Sequence, residues 1–176
     1  MNKKATLTQE RVKELLLYDS LTGEFTWRIK PCKNLEANTR AGAYRPDGYY
    51  YININYVKHY GHHLAWLYMF GSYPYYLDHI DGNPSNNRIE NLRLSSHGQN
   101  MHNQKISKAN TSGVKGVCFD KNKNRYIADV QCQGISKTKS FSVLKHGSKE
   151  KALQLATDFV VTLRNNLHKE FANHGI

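Results

Sequence analysis

Long apolar runs are missing from this chain of 176 residues. No stretch approaches the roughly 20 apolar residues that a membrane-spanning helix requires, so no span and no membrane partner are expected. Cysteine is scarce and odd in number. Cys32, Cys118 and Cys132 are too scattered for a thiolate zinc cage and read as reduced thiols, two of them within strands. The opening Met1-Asn2-Lys3-Lys4 and the polar residues after it lack the apolar run of a secretion signal, and the expected location is the cytoplasm. No heptad demands an oligomer; a monomer is favoured, with a dimer left open. Acid is the other shortage: 14 Asp and Glu face 25 Lys and Arg, a formal charge of +11.

Such a charge favours a polyanionic partner, because neutralising phosphates releases condensed counterions. It is also localised. From Lys105 to Lys151 eleven Lys and Arg stand against Asp120, Asp129 and Glu150. Double-stranded DNA is the expected partner, and Lys115, Arg125, Lys137 and Lys139 are the candidate contacts.

The residues richest in chemistry lie upstream of that stretch. Leu77-Asp78-His79-Ile80-Asp81-Gly82-Asn83 leads through Asn86-Asn87-Arg88-Ile89-Glu90-Asn91 to Gln99-Asn100. Phosphodiester cleavage needs a hard cation on oxygen ligands and a base of near-neutral pKa to activate water. Asp78 and the Asn100 side-chain oxygen can supply the first, and His79 the second. With so few protein ligands, the ion should be Mg2+ or Mn2+, keeping several waters. Asn103 and Gln104, one helical turn after Asn100, are possible accessory contacts. Asn87 and Arg88 are read as organisers of the loop by local hydrogen bonds.

The array resembles the HNH nucleases, in the phage variant with Asn in place of the last metal-binding His. The resemblance implies two strands and a helix around one metal ion. It makes Asp78 and Asn100 the ligands, His79 the general base and Asn91 the residue orienting that base. It also implies products with 5′ phosphate and 3′ hydroxyl ends. His62-His63-Leu64 resembles an upstream His-Arg-Leu segment of the same subfamily, with His62 read as structural and His63 standing where Arg is usual.

Around this motif Thr8 can cap a helix striped by Val12, Leu15 and Leu16. Phe25, Trp27 and Ile29 alternate as on a strand, as do Tyr50, Ile52, Ile54 and Tyr56, and a helix covers His62 to Phe70. The stretch 105–111 reads as a linker. Beyond it the spacing predicts strands over Gly113 to Phe119, Arg125 to Val130 and Lys137 to Val143. Ser148 then caps a helix striped by Ala152, Leu155, Ala156, Phe159, Val160, Leu163 and Leu167. Ser112 to Val117, Arg125 to Ala128 and Ser140 to Val143 resemble the APETALA2-type DNA-binding domain, whose sheet enters the major groove. Here Cys118, Asp129 and Gln131 stand where that family carries Arg, and Gln131 is a further candidate contact. The expected class is α+β: a ββα-metal nuclease domain over 1–104, then a three-stranded antiparallel sheet packed on one helix over 112–176. The function expected is a metal-dependent DNA endonuclease of the homing or mobile type that nicks as a monomer. The alternative is a non-catalytic DNA-binding regulator or packaging-associated protein on the same fold.

Overall fold

The computed structural model describes residues 7–103, 106–107, 109–132 and 134–168. It is a mixed α+β structure of two compact units, Met1–Ser95 and Ser96–Ile176. Among the described residues no helix is long and apolar enough to cross a membrane.

In the first unit, Thr8 Oγ1 accepts the Arg11 N–H at 3.3 Å and starts α1 (Gln9–Leu15). Its apolar stripe, Val12 and Leu15, is buried. The chain passes directly into β1 (Leu16–Tyr18), antiparallel to β2 (Phe25–Trp27). A second sheet joins β3 (Ala43–Tyr44), β4 (Tyr50–Ile54) and β5 (Val57–Tyr60) in that order. Tyr50, Ile52 and Ile54 point inward as their alternation requires. Tyr56 does not continue the face. It forms a tight turn with Asn55, both at positive φ, and is fully exposed. Ile29 likewise lies past the end of β2, in solvent. From β5 the chain enters α2 (Gly61–Phe70), which stops where Gly71 adopts φ +71 and its N–H caps Leu67. Val12, Leu16, Phe25, Ile52 and Leu64 centre the core. Against it lies a short hairpin, β6 (Leu77–His79) antiparallel to β7 (Leu92–Leu94).

The second unit contains α3 (His97–Asn103), then a sheet of order β10-β9-β8. Its strands are β8 (Val117–Asp120), β9 (Arg125–Cys132) and β10 (Ile135–Ser142). The short helix α4 (Val143–His146) and the long α5 (Lys149–His168) follow. The first strand is shorter than the spacing predicts, because Gly113 and Gly116, both at positive φ, bend residues 112–116 into a turn. The expected stripe of α5 is confirmed in its centre: Ala152, Ala156 and Val160 are buried against Val117, Ala128 and Phe141. Contacts divide the chain at Ser95, ahead of the stretch read as a linker, so α3 counts with this unit.

Candidate active site

β6 ends at His79, and both Asp78 and His79 are buried. The strand closes against the far side of a loop, where Ile80 N–H donates to the Asn91 carbonyl at 2.9 Å. His79 Nε2 lies 3.2 Å from Asn87 Oδ1. A carboxamide oxygen only accepts, so with the amide in this orientation Nε2 carries the proton and Nδ1 the lone pair. Asn87 is itself held from several sides. Tyr18 donates its hydroxyl to the Asn87 carbonyl at 2.6 Å. Gly23 and Gly61 leave room for it: a Cβ on the first would stand 2.6 Å from the Asn87 carbonyl carbon, and on the second 3.2 Å from its amide nitrogen. At 2% exposure Asn87 is the most enclosed of the buried asparagine, aspartate and histidine residues among the described residues of the unit.

Burial holds the His79 imidazole below its ordinary pKa, while the Asn87 bond and the Asp81 and Asp78 charges act in the opposite direction. The imidazole is therefore neutral at neutral pH, and two carboxylates favour its protonated form. The His62 ring meets His79 edge-on at 4.9 Å and is stacked on Tyr60. Burial, with His63 and His79 beside it, pushes His62 down to about 2; burial takes His63, stacked on Tyr73, to about 4. His62 is thus a ring held neutral at neutral pH beside His79.

Asp78 is paired across the hairpin with Arg93, whose Nε and Nη2 both donate to Oδ2, at 2.9 and 2.8 Å. Asp81 is turned into its own loop, accepting from Asn83 N–H, Asn86 Nδ2 and Asn91 Nδ2. Asn91 closes that loop from the other side: Oδ1 accepts the Asp81 N–H and Nδ2 also donates to the Asn86 carbonyl. The resemblance makes Asn91 the residue that orients the base. The amide seen facing the imidazole is that of Asn87, while Asn91 shapes the loop carrying it. Among the described residues no group of three or more His, Cys, Asp or Glu is placed to hold a metal. A hard dication that keeps several waters could take Asp78 as a carboxylate ligand. Asn100, half-buried, and Asn103, buried, lie on α3 of the second unit. Gln104 lies outside the described residues.

In the second unit the candidate DNA contacts do not share a face. Paired residues of antiparallel strands project to the same side. Lys137 pairs with Val130 and Lys139 with Ala128, both buried under α5, so these lysines sit on the helix side. Lys139 Nζ lies over the rings of Phe141 and Phe159. Arg125 and Gln131 belong to the opposite, open face together with Cys118 and Asp129. Arg125 there pairs with Asp120 at 3.3 Å, and Asp129 accepts from Ser136 and Thr138. Lys115 stands before β8, half-buried; burial and the nearby Arg164 lower its ammonium to about 8.

The family described as HNH endonuclease matches residues 59–102, which span α2, the hairpin and nearly all of α3. The AP2 domain matches residues 112–166, the sheet and α5. Together they define the class by similarity: a stretch like the HNH endonucleases followed by one like the AP2 domain. Protein 3.8 of Escherichia phage T7 is 35% identical over 98 residues, covering 56% of this chain and 74% of that protein, and the chain belongs to its family. No solved structure matches the chain.

Proposed function

We propose that this protein is a metal-dependent DNA endonuclease in which His79 is the general base. The observation that carries the reading is the buried Asp78-His79 pair closing β6, with Asn87 on Nε2, inside the span that matches the HNH family. Nδ1 of His79 takes a proton from water, whose oxygen attacks phosphorus in line as the bond to the 3′ oxygen breaks. Asn87 keeps the ring in the tautomer that makes Nδ1 the acceptor. Asp81 and Asp78 favour the imidazolium that results. Asp78 is the metal ligand of this unit, and Asn100 the second on the strength of the resemblance. One Mg2+ or Mn2+ ion, when bound, neutralises charge on the phosphate oxygens and eases departure of the 3′ oxygen. One such motif provides one active site, so a monomer nicks, as a homing or mobile-type enzyme of this class would before a second event cuts the other strand.

The Asp78–Arg93 pair favours a second reading, a DNA-binding protein without cleavage, since the guanidinium occupies the carboxylate oxygen that a cation would take. Purified protein on supercoiled plasmid separates the two. Relaxed circles with magnesium, none with chelator and none from His79→Ala support the enzyme. Intact plasmid under all conditions, with retained affinity, supports the binder.

A further inference from the structure

Five exposed lysines of the second unit gather at one end of its sheet. The β8–β9 turn carries Lys121 and Lys123. Beside it β10 runs into α4, and the two segments are joined where Val143 N–H donates to the Asn124 carbonyl at 3.0 Å. α4 brings Lys145 to this corner. Lys149 opens α5 with its ammonium 4.9 Å over the ring of Phe119, near the end of β8. Residues 121–124 and 143–151 together hold five lysines against one acid, Glu150. The neighbouring Asp120 is already engaged, by the Lys123 N–H at 3.1 Å and by Arg125.

This arrangement works against the isolated unit. Like charges crowd one corner, and Lys149 and Lys151 stand in the first turn of a long helix, where the positive end of its dipole disfavours cations. A polyanion laid across the corner reverses both effects. The open sheet face offers the contrary environment. Its Arg125 is paired, and Asp129 puts a carboxylate near its middle.

We propose that the sugar-phosphate backbone of duplex DNA docks on this lysine corner and not on the open face of the sheet. The inference rests on the nucleic-acid reading above and locates the contact within it. The test is fluorescence anisotropy with full-length protein and a labelled duplex, in chelator, over a salt series. The corner variants are the double substitutions Lys121→Gln with Lys145→Gln, and Lys145→Gln with Lys149→Gln. Each should lower the slope of log affinity against log salt by about 1.8, two phosphate contacts' worth, and cut affinity about tenfold or more. Lys137→Gln with Lys139→Gln, and Asp129→Asn, should stay within roughly twofold of wild type. The three lysines replaced, Lys121, Lys145 and Lys149, are exposed, so thermal midpoints should not move, and the loss is then one of contact. Corner variants with the wild-type slope, or a severalfold gain from Asp129→Asn, would overturn the proposal while leaving DNA binding intact. Wild-type protein without affinity for duplex would overturn the nucleic-acid reading and this surface together.

Discussion

At the scale of single residues, the proposed chemistry falls to the His79 imidazole, and two asparagines hold it and its loop. His79→Ala should slow plasmid nicking by about 10²–10⁴-fold with DNA affinity nearly unchanged, because the base acts on water. An equal fall in affinity would give His79 a contact role instead. Asn87→Asp places a carboxylate on Nε2, which favours the imidazolium and so moves the acid limb of the pH–rate profile upward. Asn91→Ala leaves that limb where it is. It strips three hydrogen bonds from the Asp81–Asn86 loop and should cost about 1–3 kcal/mol of stability, read from denaturant midpoints. A shifted pH profile from Asn91→Ala, and none from Asn87→Asp, would return the orienting part to Asn91. Arg93→Gln gives up the pair with Asp78 and should lower the magnesium concentration needed for half-maximal rate, whereas Asp78→Asn should raise it. Identical magnesium titrations for both would place the ion elsewhere.

At the scale of elements, α2 brings a pH dependence into the fold. His62 and His63 are held neutral, far below the ordinary 6.5, whereas in the unfolded chain they protonate near that value. The unfolded state therefore binds more protons below pH 6.5, and stability falls as pH drops from there toward about 4 for His63 and lower for His62. Each should forfeit up to about 2 kcal/mol between pH 6.5 and about pH 5. Urea midpoints against pH check this, and His63→Gln should flatten the slope by about one proton; an unchanged slope would remove His63 from the account. Elements whose phase is marked by apolar residues were legible from sequence. Tyr50, Ile52 and Ile54 announce the inner face of β4, and Ala152, Ala156 and Val160 that of α5. β10 is marked at one end only, by the buried Phe141. From Lys137 to Ser140 every side chain is polar, so the faces these residues take follow from the register, Ile135 on Cys132 through Phe141 on Tyr126, and a slip of one residue would exchange them. That is why Lys137 and Lys139 fall on the helix side. Asn87 was equally illegible as a partner of His79. Its place depends on Tyr18, Gly23 and Gly61, all remote in the chain, whereas Asp78 and His79 are adjacent and needed only the strand to end.

At the scale of the whole molecule, charge is divided as unevenly as chemistry. Met1–Ser95 carries twelve Lys and Arg against nine Asp and Glu, and holds Asp78, His79 and Asn87; Ser96–Ile176 carries thirteen against five. Several cations of the first unit are also paired: Arg11 with Glu14, Lys30 with Glu36, Arg40 with Glu24, Arg45 with Asp47 and Arg93 with Asp78. Counterion release on binding DNA must therefore come mainly from the second unit, since only cations that meet phosphate displace condensed ions. A chain ending at residue 108 removes the sheet and α5 and with them most of the net charge. It should lose most of its affinity, its salt slope should flatten by about 0.9 for each phosphate contact removed, and preference for one site over random duplex should fall with it. Nicking of plasmid at high enzyme concentration should survive more than binding does, because the Asp78-His79 hairpin and its core lie wholly before Ser96. Far-UV circular dichroism on the shortened chain verifies that the first unit is still folded before the titration is read. If that folded chain binds with the full-length salt slope, affinity belongs to the first unit, and the excess charge of the second serves some other partner.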